Sequence, residues 1–229
     1  MRFGLQKLTL LDYSGLLACT VFSSGCNFRC PFCHNELLVN GNEKELEYSM
    51  QDIVDFLEKR KKLLDGICIS GGEPLLHDDV FILAETAKKL GYKVKLDTNG
   101  SFPDKLKKAV DDGIIDYVAM DIKNSPEKYP VTCGNQQFKN IEKSVQFLLR
   151  NTIDYEFRTT VTGNLHELSD FIEIGRFIKG AKRYYLQKFI NSGRTLLGNP
   201  QDFEISDEKM LEFLQTVREF LPNAVIRGY

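Results

Sequence analysis

Residues Cys26-Asn27-Phe28-Arg29-Cys30-Pro31-Phe32-Cys33 place three thiols within eight positions, directly after the apolar run Ala18-Cys19-Thr20-Val21-Phe22. That run reads as a strand. Three thiolates on one short loop can converge on a metal centre, because the loop wraps the centre while the strand fixes where it begins. Structural zinc and simple electron-transfer clusters take four protein ligands. A centre with three keeps one position open for a substrate or cofactor.

Other chemistry fits parts of the same stretch. Cys30 to His34 matches C-x-x-C-H, the attachment signal of c-type haem, but that chemistry belongs to exported proteins and the N-terminal residues do not read as a signal peptide. Cys30 and Cys33 alone fit a thiol-disulfide pair on a βα turn, which leaves Cys26 unexplained. Zinc held by three cysteines and His34 would need the adjacent Cys33 and His34 to reach one ion from an awkward backbone. The full spacing C-x3-C-x2-C, with the aromatic Phe32 before the last cysteine, resembles the signature of the radical S-adenosylmethionine (SAM) superfamily. The resemblance implies that Cys26, Cys30 and Cys33 hold three irons of one 4Fe-4S cluster. SAM then chelates the fourth iron and yields a 5'-deoxyadenosyl radical on reduction.

Such a loop needs a scaffold, and 229 residues suit a single domain over 1–229. The length is short for a complete eight-unit βα barrel, which takes about 250 residues. With 30 basic and 32 acidic residues, nothing marks a surface for nucleic acid or an anionic membrane. No run of 18 apolar residues occurs, and a soluble cytoplasmic protein is expected. Six cysteines, three of them clustered, fit a reducing compartment and a metal site better than a disulfide framework. Cys19 and Cys68 lie in apolar runs and read as small core residues.

Residues 1–11 alternate weakly and predict an edge strand covering a barrel rim, ahead of a turn at Asp12 to Gly15. A polar connection at 40–43 precedes Ser49, an N-cap with Asp52 at the third helical position. The helix it opens carries Ile53, Val54, Phe56, Leu57, Leu63 and Leu64 on its apolar face. From there short apolar runs alternate with helical patterns, the mark of βαβ construction and a parallel sheet. Strands are predicted at 67–70, 93–99, 116–123, 155–162 and 184–190. Helices follow at 78–90, 103–111, 138–149, 168–178 and 206–220. With the strand before the cysteines this makes an α/β fold, an incomplete (β/α)6 barrel of parallel strands, with Val225 and Ile226 as a terminal extra.

Ligands of parallel βα folds lie beyond the carboxyl ends of the strands. The second strand ends in Ser70-Gly71-Gly72-Glu73-Pro74, where paired glycines let backbone approach a ligand and Glu73 adds an acceptor. This looks like the GGEP element of radical SAM enzymes, which contacts the methionyl amine. The third and fourth strands end in Asp97-Thr98-Asn99-Gly100 and Met120-Asp121-Ile122-Lys123. These charges need partners. A charged cofactor would supply them, and Asp97 with Asp121 could hold a monovalent cation beside the SAM carboxylate. Arg158 and Thr160 share a face by the period of two, Arg158 suits a carboxylate, and Gln187 could contact adenine.

Cys33-His34-Asn35, GGEP at 71–74 and the motifs at 97–100, 120–123 and 157–160 together resemble glycyl-radical-enzyme activases. The likeness is to the anaerobic ribonucleoside-triphosphate reductase activating proteins, and it reaches Ile226-Arg227-Gly228. It implies Phe32, Asn35, Gly71, Gly72, Glu73, Asp97, Asn99, Asp121, Lys123, Arg158, Thr160 and Gln187 as cofactor contacts. Lys123 and Arg158 join the cysteines in the catalytic set. It also implies a glycyl radical enzyme as partner, an anaerobic ribonucleotide reductase or a relative, and an electron donor such as flavodoxin or ferredoxin. Ser14 stands where that family usually has proline. Some activases insert an eight-cysteine ferredoxin-like segment that this chain lacks, so one cluster is expected, and Cys133 is expected in a loop. The runner-up is a small-molecule enzyme like the 7-carboxy-7-deazaguanine synthases, and a different class is a non-catalytic iron-sulfur or zinc protein.

Overall fold

The computed structural model describes residues 1–41, 46–134 and 137–228. Asn42 and Glu43 of the expected polar connection lie outside the described residues. Two compact units form: Met1–Asn27 with Leu37–Thr98 and Phe102–Ala119, and Phe28–Glu36 with Asn99–Ser101 and the chain from Met120 onward.

In the first unit β1 (Arg2–Thr9) runs antiparallel to β2 (Ala18–Ser23), with Gly4 opposite Phe22. The expected edge strand thus joins the sheet. Its outer side is taken by a two-residue strand, β3 (Tyr48–Ser49), a pairing that no local pattern announces. β2 pairs in parallel with β4 (Gly66–Gly71), and β4 with β5 (Lys93–Thr98). Four of the first five residues of β2 and the first four of β4 are buried, as strands covered on both faces must be. After the short α1 (Glu36–Val39) comes α2 (Met50–Arg60), opened as predicted by a capping box between Ser49 and Asp52. Such a cap is worth about 1 kcal/mol. Ile53 and Leu57 are fully buried, but the helix ends before Leu63, which is 57% exposed. The periodicity overran the helix there. α3 (Asp79–Lys89) and α4 (Pro103–Asp111) follow β4 and β5 as expected.

β6 (Tyr117–Asp121) begins in the first unit, where Asp116 N–H donates to Val94 O at 2.8 Å, and ends in the second. The long connection after it contains a helix the sequence did not signal, α5 (Tyr129–Cys133), closed by Gly134 at φ 71°. Then come α6 (Phe138–Leu148), β7 (Asp154–Val161), α7 (Leu168–Phe177), β8 (Tyr184–Lys188) and α8 (Asp207–Arg218). The terminal β9 (Val225–Arg227) pairs in parallel with β8, as β8 does with β7. All six predicted parallel-sheet strands form, and the α/β class with a mostly parallel sheet is the one adopted. Among the described residues, no helix is long and apolar enough to cross a membrane.

Candidate active site

Cys19 and Cys68 are fully buried in β2 and β4, as core thiols. The loop thiols differ. Cys26 and Cys33 are half-buried, Cys30 is 7% exposed, and none of the six cysteines is in a disulfide. Three thiols on one loop, none of them in a disulfide, are the donor set a cluster requires, so the chain fits a 4Fe-4S group there. Among the described residues, no three His, Cys, Asp or Glu side chains converge as ligands of a single ion must. A four-iron cluster takes its thiolates at separate irons, so it does not ask for that convergence.

Within the second unit the loop from Phe28 is held on two sides. Leu196 N–H donates to Cys33 O at 2.9 Å and Leu197 N–H to Pro31 O at 3.0 Å. On the other side Arg29 N–H donates to Cys133 O at 2.9 Å. Cys133 therefore does not sit in a loop as expected: it ends α5, is fully buried, donates to Tyr129 O at 3.2 Å and hydrogen-bonds Cys30. That bond, then burial, pushes the Cys30 thiol well above its ordinary pKa, against the pull of Lys123. Burial also raises Cys33, while the backbone N–H of Asn35 favours its thiolate. Phe32 is buried edge-on to Phe203, 6.2 Å between ring centres, which anchors the loop. His34 packs its ring on Phe189 at 4.8 Å and bonds the Ile190 backbone, so its ring is engaged away from the role the zinc reading gives it.

In the first unit the paired glycines do something other than the sequence suggested. A Cβ on Gly72 would lie 2.0 Å from Gly25 O, and one on Gly71, at φ 126°, 2.2 Å from Ser23 O. Gly72 N–H donates to Ser23 O at 3.0 Å and Glu73 N–H to Gly25 O at 2.8 Å. The glycines seat the end of β4 on the backbone that leads into Cys26. Glu73 is fully buried, and its Oε1 accepts from Leu75 N–H at 3.2 Å and Thr98 Oγ1 at 2.8 Å. Asp97 accepts from Ser70 Oγ at 3.2 Å and faces Lys95 Nζ at 3.2 Å. Lys95 is only 3% exposed and escaped sequence reasoning, although its offset of two from Asp97 puts both on one face.

The second unit supplies its own counter-charges too. Asp121 Oδ1 accepts from Arg158 Nε and Oδ2 from Lys123 Nζ, each at 2.9 Å. Burial would raise the Asp121 carboxyl, but the two cations win and hold it at about 2. Burial alone would lower the Lys123 ammonium; Asp121 above all keeps it raised. Where the sequence pointed to a charged cofactor as the partner of these aspartates, Lys95, Lys123 and Arg158 already stand against them. Thr160 and Gln187 sit opposite each other across β7 and β8. Asn99 is buried, and its Oδ1 accepts from Ser101 N–H at 2.9 Å and Ser101 Oγ at 2.6 Å, bonds that shape its own loop.

The chain matches the radical SAM superfamily over residues 20–178. It is 32% identical over 241 positions to a Methanocaldococcus jannaschii protein assigned, by inference, as a glycyl-radical enzyme activating enzyme, covering 98% of this chain and 94% of that one. It is 36% identical over 81 positions to 7-carboxy-7-deazaguanine synthase of Halobacterium salinarum, covering 35% of this chain and 31% of the synthase. Among solved structures, SuiB of Streptococcus suis bound to S-adenosylmethionine superposes with a TM-score of 0.70 at 16% identity, over 90% of this chain. The chain spans about half of SuiB, 49%, so that likeness speaks for the fold alone. With a three-thiol loop after the first parallel strand of this fold and a family match over most of its length, the chain is an enzyme of the radical SAM superfamily.

Proposed function

We propose that this chain is a glycyl-radical-enzyme activase, acting as one radical SAM domain over 1–229. The observation that carries the reading is the extent of likeness: similarity to the activating enzyme runs over 98% of the chain at 32% identity, against 35% of the chain for one deazaguanine synthase and 70% at 25% identity for another. The superfamily's cluster and SAM, when bound, supply the electron and the 5'-deoxyadenosyl radical that takes hydrogen from a partner's glycine. Cys26, Cys30 and Cys33 ligate the cluster, and Asn35 N–H stabilises the Cys33 sulfur. Lys123 uses one of an ammonium's three donors on Asp121, which leaves donors for the methionyl carboxylate, and Arg158 adds charge beside it. Glu73 and Asp97 serve the methionyl amine end, supported by Gly71 and Gly72, while Thr160 and Gln187 form a polar pair for adenine. Phe32 and Asn99 shape the loops around the cofactor. A monovalent cation near Asp97 and Asp121 gains least support, because cationic side chains already occupy those carboxylates.

The partner is a glycyl radical enzyme, an anaerobic ribonucleotide reductase or a relative, with flavodoxin or ferredoxin as donor in a reducing cytoplasm. Glycine suits the chemistry because it has no side chain to keep its Cα from the radical carbon. Mixing the protein, SAM, a reductant and such an enzyme without oxygen should give a carbon-centred paramagnetic resonance doublet, lost when the target glycine is alanine. If every candidate enzyme stays silent while a small metabolite exchanges deuterium with 5'-deoxyadenosine, the small-molecule reading replaces this one.

A further inference from the structure

We infer that Tyr129 and His166 are positioning residues that clasp the backbone of Lys123 from both sides and so aim its ammonium. The chain leaves β6 through Ile122 and Lys123, and side chains or strand backbone hold every backbone group of that dipeptide. Ile122 N–H donates to Arg158 O at 2.7 Å. Ile122 O accepts from Thr159 Oγ1 at 2.7 Å, and Thr159 is in turn bonded by Tyr184 Oη at 2.7 Å. Lys123 N–H donates to Tyr129 Oη at 3.1 Å, and Lys123 O meets His166 Nε2 at 3.0 Å. Tyr129 is fully buried and His166 is 3% exposed.

The tautomer follows from the geometry. Thr162 N–H approaches His166 Nδ1 at 3.2 Å, so Nδ1 accepts and the ring proton sits on Nε2, the donor that Lys123 O needs. Burial lowers the His166 pKa to about 4, which keeps the ring neutral and the pattern intact at working pH. The ring also packs on Phe171 at 5.8 Å, which limits its rotation. A residue just past a strand end has no ladder partners of its own. Here two buried side chains replace them, and the reward for such rigidity is a fixed Nζ beside Asp121.

This inference rests on the reading that Lys123 meets SAM. Its test compares SAM affinity of cluster-loaded Lys123→Ala, Tyr129→Phe, His166→Leu and His166→Gln, with iron content and melting temperature measured for each. Lys123→Ala should weaken SAM binding roughly 10- to 100-fold, as loss of a charge-assisted hydrogen bond does, and Tyr129→Phe and His166→Leu roughly 10-fold, the lower end for a lost outer-shell partner, with iron unchanged in all three. His166→Gln, which can still donate to Lys123 O, should restore most of the affinity. A purely structural role would lower the melting temperature yet leave the affinity of folded protein alone. Should His166→Leu fail to fold, Tyr129→Phe, which lacks a single oxygen, decides by itself. If Lys123→Ala loses affinity while Tyr129→Phe binds as the parent does, the clasp is overturned. If Lys123→Ala itself binds like the parent, the cofactor role of Lys123 fails and the clasp with it.

Discussion

Gly72→Ala separates two roles for the glycine pair, seating one backbone on another or admitting a ligand. The added methyl would lie 2.0 Å from Gly25 O and 2.6 Å from Gly25 C, where ordinary contact begins at 3.4 Å. The obstacle is backbone, so no rotamer relieves it, and the two segments must part by more than 1 Å at that point, about the shortfall itself. Parting them stretches Gly72 N–H to Ser23 O and Glu73 N–H to Gly25 O. Each such bond is worth about 1 kcal/mol and overpacking costs about 1–3 kcal/mol, so the expected loss is about 3–5 kcal/mol. For a chain of this size that lowers the melting temperature by on the order of 10 °C. Gly25 directly precedes Cys26, so iron bound per chain should fall as well. The assay is thermal unfolding and iron content of anaerobically purified protein, with SAM affinity measured alongside. Parent-like melting and iron with weakened SAM binding would refute the packing account and restore ligand approach as the reason for the glycines.

Two further outcomes follow from the same geometry. Cys26→Ala, Cys30→Ala and Cys33→Ala should abolish the cluster absorbance of oxygen-free protein, whereas Cys19→Ala, Cys68→Ala and Cys133→Ala should keep it; stoichiometric zinc in colourless parent protein would contradict this. Asp121 has a folded pKa of about 2 against an ordinary 3.8, so it adds stability that is fully present above about pH 4 and is lost as pH falls through about 2. At about 1.4 kcal/mol per unit this is on the order of 2 kcal/mol at pH 7, with about half gone by pH 3. The urea-midpoint gap between parent and Asp121→Asn should shrink accordingly, and a gap unchanged between pH 7 and pH 3 would remove the ion pairs as its cause.

The repeating units were legible because each carries its own local signals. Ser49 and Asp52 cap α2, Pro103 opens α4, and Ser206 caps α8, its hydroxyl accepting from Lys209 N–H at 3.3 Å. Elements that exist only through distant pairing were not. β3 is two residues long and is a strand only because β1 lies beside it. α5 is a single turn containing Pro130, too short to show a period. At the site, residue types located the charged strand ends but not their partners. Lys95 in sequence looks like any solvated strand lysine, and its burial depends on the Asp12 carbonyl and on Asp97 folding against it. His166 stands alone between Leu165 and Glu167, and only the meeting of the Lys123 carbonyl with the Thr162 amide gives it a role.

In the proposed function the loop from Cys26 to Cys33 arms SAM. The direct measurement is 5'-deoxyadenosine formed from SAM by oxygen-free, cluster-loaded protein after addition of a strong reductant, with no partner present. The parent should give 5'-deoxyadenosine and methionine in equal amounts, and Cys30→Ala neither. An iron-loaded parent that binds SAM, accepts the electron and leaves SAM intact would contradict it.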